Sequence, residues 1–407
     1  MSRKIVITSA VRTPVGAFLG GLKTVPVQNL CAQVLREAAT RSNLGDKDID
    51  DVVVGHVISS ADTGNLARHA ALLAGFDLDT PGYTVNRICG SGIQAVVSAA
   101  QELRDNEELE VVLAAGAESL SRVPYYLPLS ARYDGLKNGT KQLLCSNDEY
   151  TKNAQPPKDY ADIDSMGITA ENIVEKYSIP REDQDRFAYD SQMKCKRAME
   201  SGRFAEEIIP VEVKSRKETV IVDKDEHPRP NTTLEALAKL KPAFKQGGSV
   251  TAGNSSGMND AAACVVVMTE DKCKQLGLTP MAYVEQYSIT ALDPRIMGMG
   301  PVNAIGKLLK KTGLTLDDIG HLEINEAFAG QVLGCCKELG NYIGAPLYSR
   351  LNPNGGACAL GHPLGMTGVR LVTTICHEFR HNDAKYGIAS ACIGAGQGIA
   401  LLLRRPE

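Results

Sequence analysis

The chain has 407 residues, 43% of them hydrophobic and 23% charged, with a formal net charge of −4. That length predicts two or three domains with their own cores, and the composition excludes a largely disordered chain. The slight acidity excludes the basic footprint of a nucleic-acid binder, and no apolar run approaches the ~18 residues of a membrane span.

A short apolar strand over 5–8 opens the chain and ends at Arg12-Thr13-Pro14. A helical pattern follows over 27–41, then a strand over 52–57 and a helix over 66–74. Cys89-Gly90-Ser91-Gly92 leads into a helix of small residues over 93–103, and 111–117 reads as a third strand. Strands that are apolar throughout, alternating with helices, predict a sheet covered on both faces. Over 120–257 the texture turns polar and charged, punctuated by prolines as in Asn153-Ala154-Gln155-Pro156-Pro157-Lys158. With one good helix, over 181–201, this stretch reads as an inserted excursion rather than a third core-bearing domain.

Residues 261–268 return to the apolar-strand texture, and the remainder echoes the first part. Strand 283–290 resembles the opening strand, and 322–325 resembles 52–57. The glycine turn and helix at 365–376 resemble those at 92–103, and 388–390 resembles the strand at 112. The offset is consistently about 270–280 residues, the mark of one fold used twice. Two α/β halves can place their strand-end loops into one shared crevice, where sites usually lie.

Eleven cysteines, an odd number, are scattered along the chain. The first ten residues lack a secretory or transit pattern, and Arg404-Arg405-Pro406-Glu407 is neither a peroxisomal nor a retention tag. Free thiols in a reducing, cytoplasmic setting are expected.

Four segments carry candidate chemistry. Cys89 sits between a strand and a helix start, where free N–H groups and the helix dipole favour a thiolate; a small buried cysteine in a turn is the plain alternative. His362 lies in a glycine turn before a helix, well placed as a base, with Pro363 fixing the backbone. Cys358 stands four residues before it, but no second pair has matching spacing, so no metal site is expected. Cys392-Ile393-Gly394-Ala395-Gly396-Gln397-Gly398 leads into a strand, which excludes a dinucleotide-binding loop. Asn325 lies at a strand end, where an asparagine is usually a cap or turn residue.

Taken in order, Cys89-Gly90-Ser91-Gly92, Asn325-Glu326-Ala327-Phe328, Gly361-His362-Pro363 and Cys392-Ile393-Gly394 resemble the signature of the thiolase superfamily. The resemblance runs from Thr8 to Gly394 and is nearest to the short-chain, acetoacetyl-CoA-forming type. It implies a duplicated α/β fold in an αβαβα layering. Residues 1–119, completed by about 258–279, would form the N-terminal half, and 280–407 the C-terminal half. Residues 120–257 would form an inserted loop domain that contacts coenzyme A.

The implied reaction joins two acetyl-CoA into acetoacetyl-CoA and coenzyme A, with no cofactor beyond these thioester substrates. Cys89 would be acylated, with His362 taking its proton and Cys392 serving as a second acid and base. Asn325 would hold a water that acts with His362 on one thioester oxygen, and the N–H groups of Cys89 and Gly394 would form a second oxyanion site. Arg229, Ala252, Ser256, Ala327 and Phe328 would contact coenzyme A, and Met166 and Met297 would crowd the acyl end. Ser165 stands where many relatives place a histidine. The resemblance also implies a homo-oligomer, dimer or tetramer; the segment over 125–157, longer than usual, falls where relatives make dimer–dimer contacts. Three alternatives stand beside this reading. One is a 3-ketoacyl-CoA thiolase of broader chain length. A decarboxylating enzyme with a Cys-His-His triad would need a histidine where Asn325 stands. A non-catalytic acyl-CoA or lipid carrier would be expected to lack Cys89, His362 or Cys392.

Overall fold

A computed structural model describes residues 3–136, 138–140, 142–148, 163, 165–214 and 218–407. The proline-rich stretch from Asn153 to Lys158, and part of the long 125–157 segment, lie outside the described residues. The N-terminal half runs β1 (Ile5–Arg12), α1 (Val27–Arg41), β2 (Asp51–Gly55), α2 (Leu66–Leu73), β3 (Tyr83–Val85), α3 (Ser91–Asp105) and β4 (Val111–Ser119). The excursion contributes α4 (Met166–Lys176) and α5 (Arg181–Glu200), and β5 (Asn259–Thr269) rejoins the sheet. There follow β6 (Ala282–Ala291), α6 (Gly300–Thr312), β7 (Ile319–Ile324), α7 (Ala329–Glu338), α8 (Leu364–Glu378), β8 (Tyr386–Ile393) and β9 (Gln397–Arg404).

The duplication is written in the strand order, β7-β8-β9-β6-β1-β5-β4-β2-β3. The segment β2-β4-β5-β1 and the segment β7-β8-β9-β6 have the same order. They also have the same directions: β2/β4 and β7/β8 are parallel, and the next two pairs in each half are antiparallel. The halves meet where β1 pairs with β6, Val6 opposite Tyr283 and Ile7 opposite Ala282.

Period-two alternation sorts the strand residues into layers. Val265 and Val267 face a central core with α3 and α8, while Val266 and Met268 face an outer core with α1 and α2. The second outer core holds Ile305 of α6, Leu333 of α7 and Ile388 of β8. Layers of helix, sheet, helix, sheet and helix result, as expected. From the excursion, Ile173 of α4 and Phe187 of α5 enter that second outer core.

Three helices escape the sequence reading. In α7 eight residues from Ala329 to Cys336 are buried, so no polar face marks it. In α6 a glycine-proline start conceals the beginning, although proline is well tolerated in a first turn. The third, α4, lies inside the polar stretch.

The central helices touch backbone to backbone. A Cβ on Gly92 would stand 2.6 Å from the Val369 nitrogen, and one on Gly368 would stand 2.3 Å from the Ile93 nitrogen. Gly306, exposed on α6, has open space around its would-be Cβ. Gly92→Ala should therefore destabilise the fold by about 1–3 kcal/mol, the range for overpacking. Gly306→Ala should be neutral or stabilising by up to ~1 kcal/mol. Urea unfolding of the two variants checks the contrast; equal effects would overturn it.

Candidate active site

The turn carrying Cys89 is fastened by its own polar groups. The Ile88 N–H donates to Asn86 Oδ1 at 2.9 Å, and the Arg87 N–H donates to Ser91 Oγ at 2.8 Å. The Ser91 hydroxyl donates in turn to the Ile88 carbonyl at 2.7 Å. These bonds hold Ile88 at φ +47°, a left-handed conformation that a β-branched residue rarely adopts. Such strain costs on the order of 1–3 kcal/mol and persists only where the surroundings over-determine it. Its result is a half-buried Cys89 at the mouth of α3.

Burial pushes the Cys89 thiol up to about 11, while hydrogen bonds from the Gly394 and Cys89 N–H groups pull against that shift. Cys392, at the end of β8, is 1% exposed. Its thiol is raised well above its ordinary value, first by burial and then by Cys89, with which it interacts electrostatically.

His362 lies in the turn before α8. Its N–H donates to Asn259 Oδ1 at 3.1 Å, and Gly361, at φ +91°, presses against the same asparagine. Burial first, and Arg370 second, lower the imidazole to about 4, with Glu118 opposing. The ring is therefore neutral at neutral pH and able to accept a proton. Asn325 Nδ2 reaches His362 Nε2 at 3.3 Å, and Asn325 Oδ1 is buried with no hydrogen-bond partner among the described residues. A buried orphan acceptor in a polar site is the setting for a bound water.

A cavity of about 220 Å³ opens onto Cys89 and His362. Met166, Ser165, Ser256 and Phe328 line it. The Ser256 N–H donates to the Ala327 carbonyl at 3.0 Å, and this bond places Ala327 beside the wall. A second lobe of about 180 Å³ holds Arg229 and Ala252, and both lobes touch Gly257. Met297 lies elsewhere: it is buried in the second outer core and is not among the residues lining the cavity. Its short helical segment, Pro294–Met299, packs against α4 and α7, and that turns the side chain inward.

The sequence reading missed Phe244, whose ring meets Phe328 edge-on at 5.9 Å and completes the apolar wall. A lone aromatic in a polar stretch, in a chain with seven phenylalanines, was the available signal. It also missed His227, which lines the outer lobe against Gly257.

The thiolase N-terminal domain model matches residues 5–271, and the thiolase C-terminal domain model matches 278–405. The chain belongs to the thiolase family. It is 45% identical to an acetyl-CoA acetyltransferase of Pseudomonas aeruginosa, over 98% of this chain and 99% of that one. The solved Bacillus anthracis acetyl-CoA acetyltransferase superposes with a TM-score of 0.93 at 43% identity, covering 100% of this chain and 99% of that one. Human mitochondrial 3-ketoacyl-CoA thiolase superposes at 0.92 with 41% identity, over 99% of each chain. No helix among the described residues is long and apolar enough to cross a membrane.

Of the eleven cysteines of this thiolase, Cys89 and Cys145 are part-exposed and the rest are buried. Iodoacetamide should modify those two first, faster as pH rises toward the thiol range. Acetyl-CoA should protect Cys89 and leave Cys145 reactive. Peptide mass spectrometry reads both sites, and equal protection would contradict the position of Cys89 in the cavity.

Proposed function

We propose that this thiolase condenses two acetyl-CoA into acetoacetyl-CoA and coenzyme A. The observation that carries the reading is a pair of side chains on the wall of one apolar cavity, Cys89 and His362, with the buried Cys392 thiol near enough to Cys89 to interact with it electrostatically. Carbon–carbon bond formation between thioesters needs a covalent acyl store, a base for a weakly acidic C–H and sites for two oxyanions. Cys89 attacks the acetyl carbonyl while His362 Nε2 takes its proton. The oxyanion lies between the N–H groups of Cys89 and Gly394, and the C–S bond to coenzyme A breaks as Cys392 gives its proton to the departing thiolate.

The Cys392 thiolate so formed takes an α-proton from the second acetyl-CoA. His362, still carrying the Cys89 proton on Nε2, and a water on Asn325 stabilise its enolate oxygen, and the α-carbon attacks acetyl-Cys89. The new C–C bond forms, the C–S bond to Cys89 breaks, His362 returns its proton to the Cys89 thiolate, and acetoacetyl-CoA departs. A single thiol cannot be acylated and act as base at once, so the chemistry uses one cysteine from each half. Ser256, Ala327 and Phe328 support the pantetheine arm, and Arg229 and Ala252 support the nucleotide end, in the outer lobe. No group beyond the coenzyme A thioesters is required.

The domain limits that suit this chemistry are those expected from the sequence, with 120–257 as the coenzyme A-contacting insertion. The same reading makes the protein a homo-oligomer, dimer or tetramer. Tyr125 at 68%, Leu129 at 75% and Tyr133 at 81% exposure offer apolar surface for a second copy. Eleven free thiols suit a reducing cytoplasm.

Cys392→Ala should still be acetylated at Cys89, yet form acetoacetyl-CoA about 10²–10⁴ times more slowly, the range for losing a general acid or base. Retained exchange of acetyl α-protons with deuterated solvent would overturn the assignment. Cys89→Ala should abolish turnover.

The likeness to the human 3-ketoacyl-CoA thiolase supports a second reading with longer substrates. Met166 lines the cavity, and a longer tail would have to displace it at a cost of about 1–3 kcal/mol, roughly ten- to a hundredfold. Acetoacetyl-CoA should thus be cleaved far faster than 3-ketooctanoyl-CoA, and Met166→Ala should narrow the gap. Equal kcat/KM from four to ten carbons would favour the broader thiolase instead.

A further inference from the structure

We propose that Thr367 is a positioning residue that fixes the tautomer of His362 with the proton on Nδ1 and the lone pair on Nε2. This inference rests on His362 being the base of Cys89.

The Thr367 hydroxyl has a single proton to give. The Thr367 hydroxyl is buried and has two partners, the Pro363 carbonyl at 3.0 Å and His362 Nδ1 at 2.7 Å. A carbonyl only accepts, so the hydroxyl proton goes to Pro363. Thr367 Oγ1 is left with lone pairs toward the ring, and a contact of 2.7 Å then requires a proton on Nδ1. At the opposite edge the Asn325 amide meets Nε2, where Nδ2 is the group that faces it. A ring protonated on Nδ1 offers that amide an acceptor, so the two edges agree.

The position of Thr367 follows from α8. It is the fourth residue of the helix, and its hydroxyl bonds back to the residue before the helix, a common threonine habit. Among the described residues no carboxylate hydrogen-bonds to the ring. The charges acting on it are Arg370, from α8, and Glu118, from the end of β4. A hydroxyl therefore does here what an acidic partner does beside many basic histidines, but without adding charge that would raise the basicity of the ring.

The test uses the full-length enzyme labelled with ¹⁵N-histidine, with the His362 signals assigned by comparison with His362→Asn. The expected spectrum at pH 7 shows Nδ1 protonated and Nε2 bare. Thr367→Val keeps the shape and removes the hydroxyl. Acetylation of Cys89 should slow about 10–100-fold, part of the 10²–10⁴ that a general base supplies. KM for acetyl-CoA should change little, and a signal for Nε2–H should appear. Thr367→Ser should restore both rate and spectrum.

Wild-type acetylation by Thr367→Val would overturn the proposal, as would an Nε2–H signal in the unaltered enzyme. The spectrum of the unaltered enzyme decides even if Thr367→Val fails to fold. His362→Ala separates the two ideas: unchanged Cys89 acetylation there would sink the role of His362 as base, whatever the tautomer.

Discussion

One close contact between the halves has no side chains in it, and it holds the two central helices together. Gly92 of α3 lies against the backbone of α8, and Gly368 of α8 lies against the backbone of α3. Gly116 and Gly55, on neighbouring strands, press on Gly365 in the same way. Any Cβ at these points would push the two helices apart. Their N-termini carry the turns of Cys89 and His362, so the distance between these two side chains is set by helix-to-helix contact rather than by the loops. Packing at this density transmits strain, and a shift at the crossing becomes a shift at the site.

A buried carboxylate locks the same junction. Glu118, at the end of β4, accepts from the N–H groups of Val57, Ile58 and Gly365 and faces His56 Nδ1 at 3.2 Å. Burial opposes charge on His56, but Glu118 outweighs it and the imidazole is raised. One side chain of the N-terminal half thus grips the first turn of α8 in the C-terminal half. Glu326 does similar work for the insertion. It accepts from Ser191 of α5, from Asn352 and from the Cys358 N–H, so the helix of the excursion is tied to the strand end bearing Asn325 and to the approach to His362. Buried acceptors without these donors would be costly, and these loops therefore have little freedom to drift.

The electrostatics of the site are those of a dry place. Burial raises both thiols and lowers the imidazole, so all three groups rest neutral. A resting thiolate in contact with a second cysteine would invite side reactions. In the proposed reaction a neutral set would move protons only when a thioester occupies the cavity, with the Gly394 and Cys89 N–H groups favouring charge where it develops.

The alternation of apolar strands with helices, the repeat offset and the four short motifs were legible in the chain, because each depends on local periodicity or on residue types a few positions apart. The helix over 27–41 follows from that pattern directly, while the strand order within each half is fixed by pairings that only the tertiary structure makes. Helix α7 was not legible, since its first eight residues are buried all round and leave no amphipathic signature. The strain at Ile88 was not either, since it arises from Asn86 and Ser91 bonds that form only when the turn closes. Met166 and Met297 look equivalent as residues, yet one lines the cavity and the other fills a core. That choice belongs to the packing of Pro294–Met299 against α4 and α7. Likewise Cys89 and His362 could be singled out from their local motifs, whereas Phe244 and His227 could not, and the separation of Cys89 from His362 was decided in three dimensions, where backbones more than 270 residues apart meet through glycines.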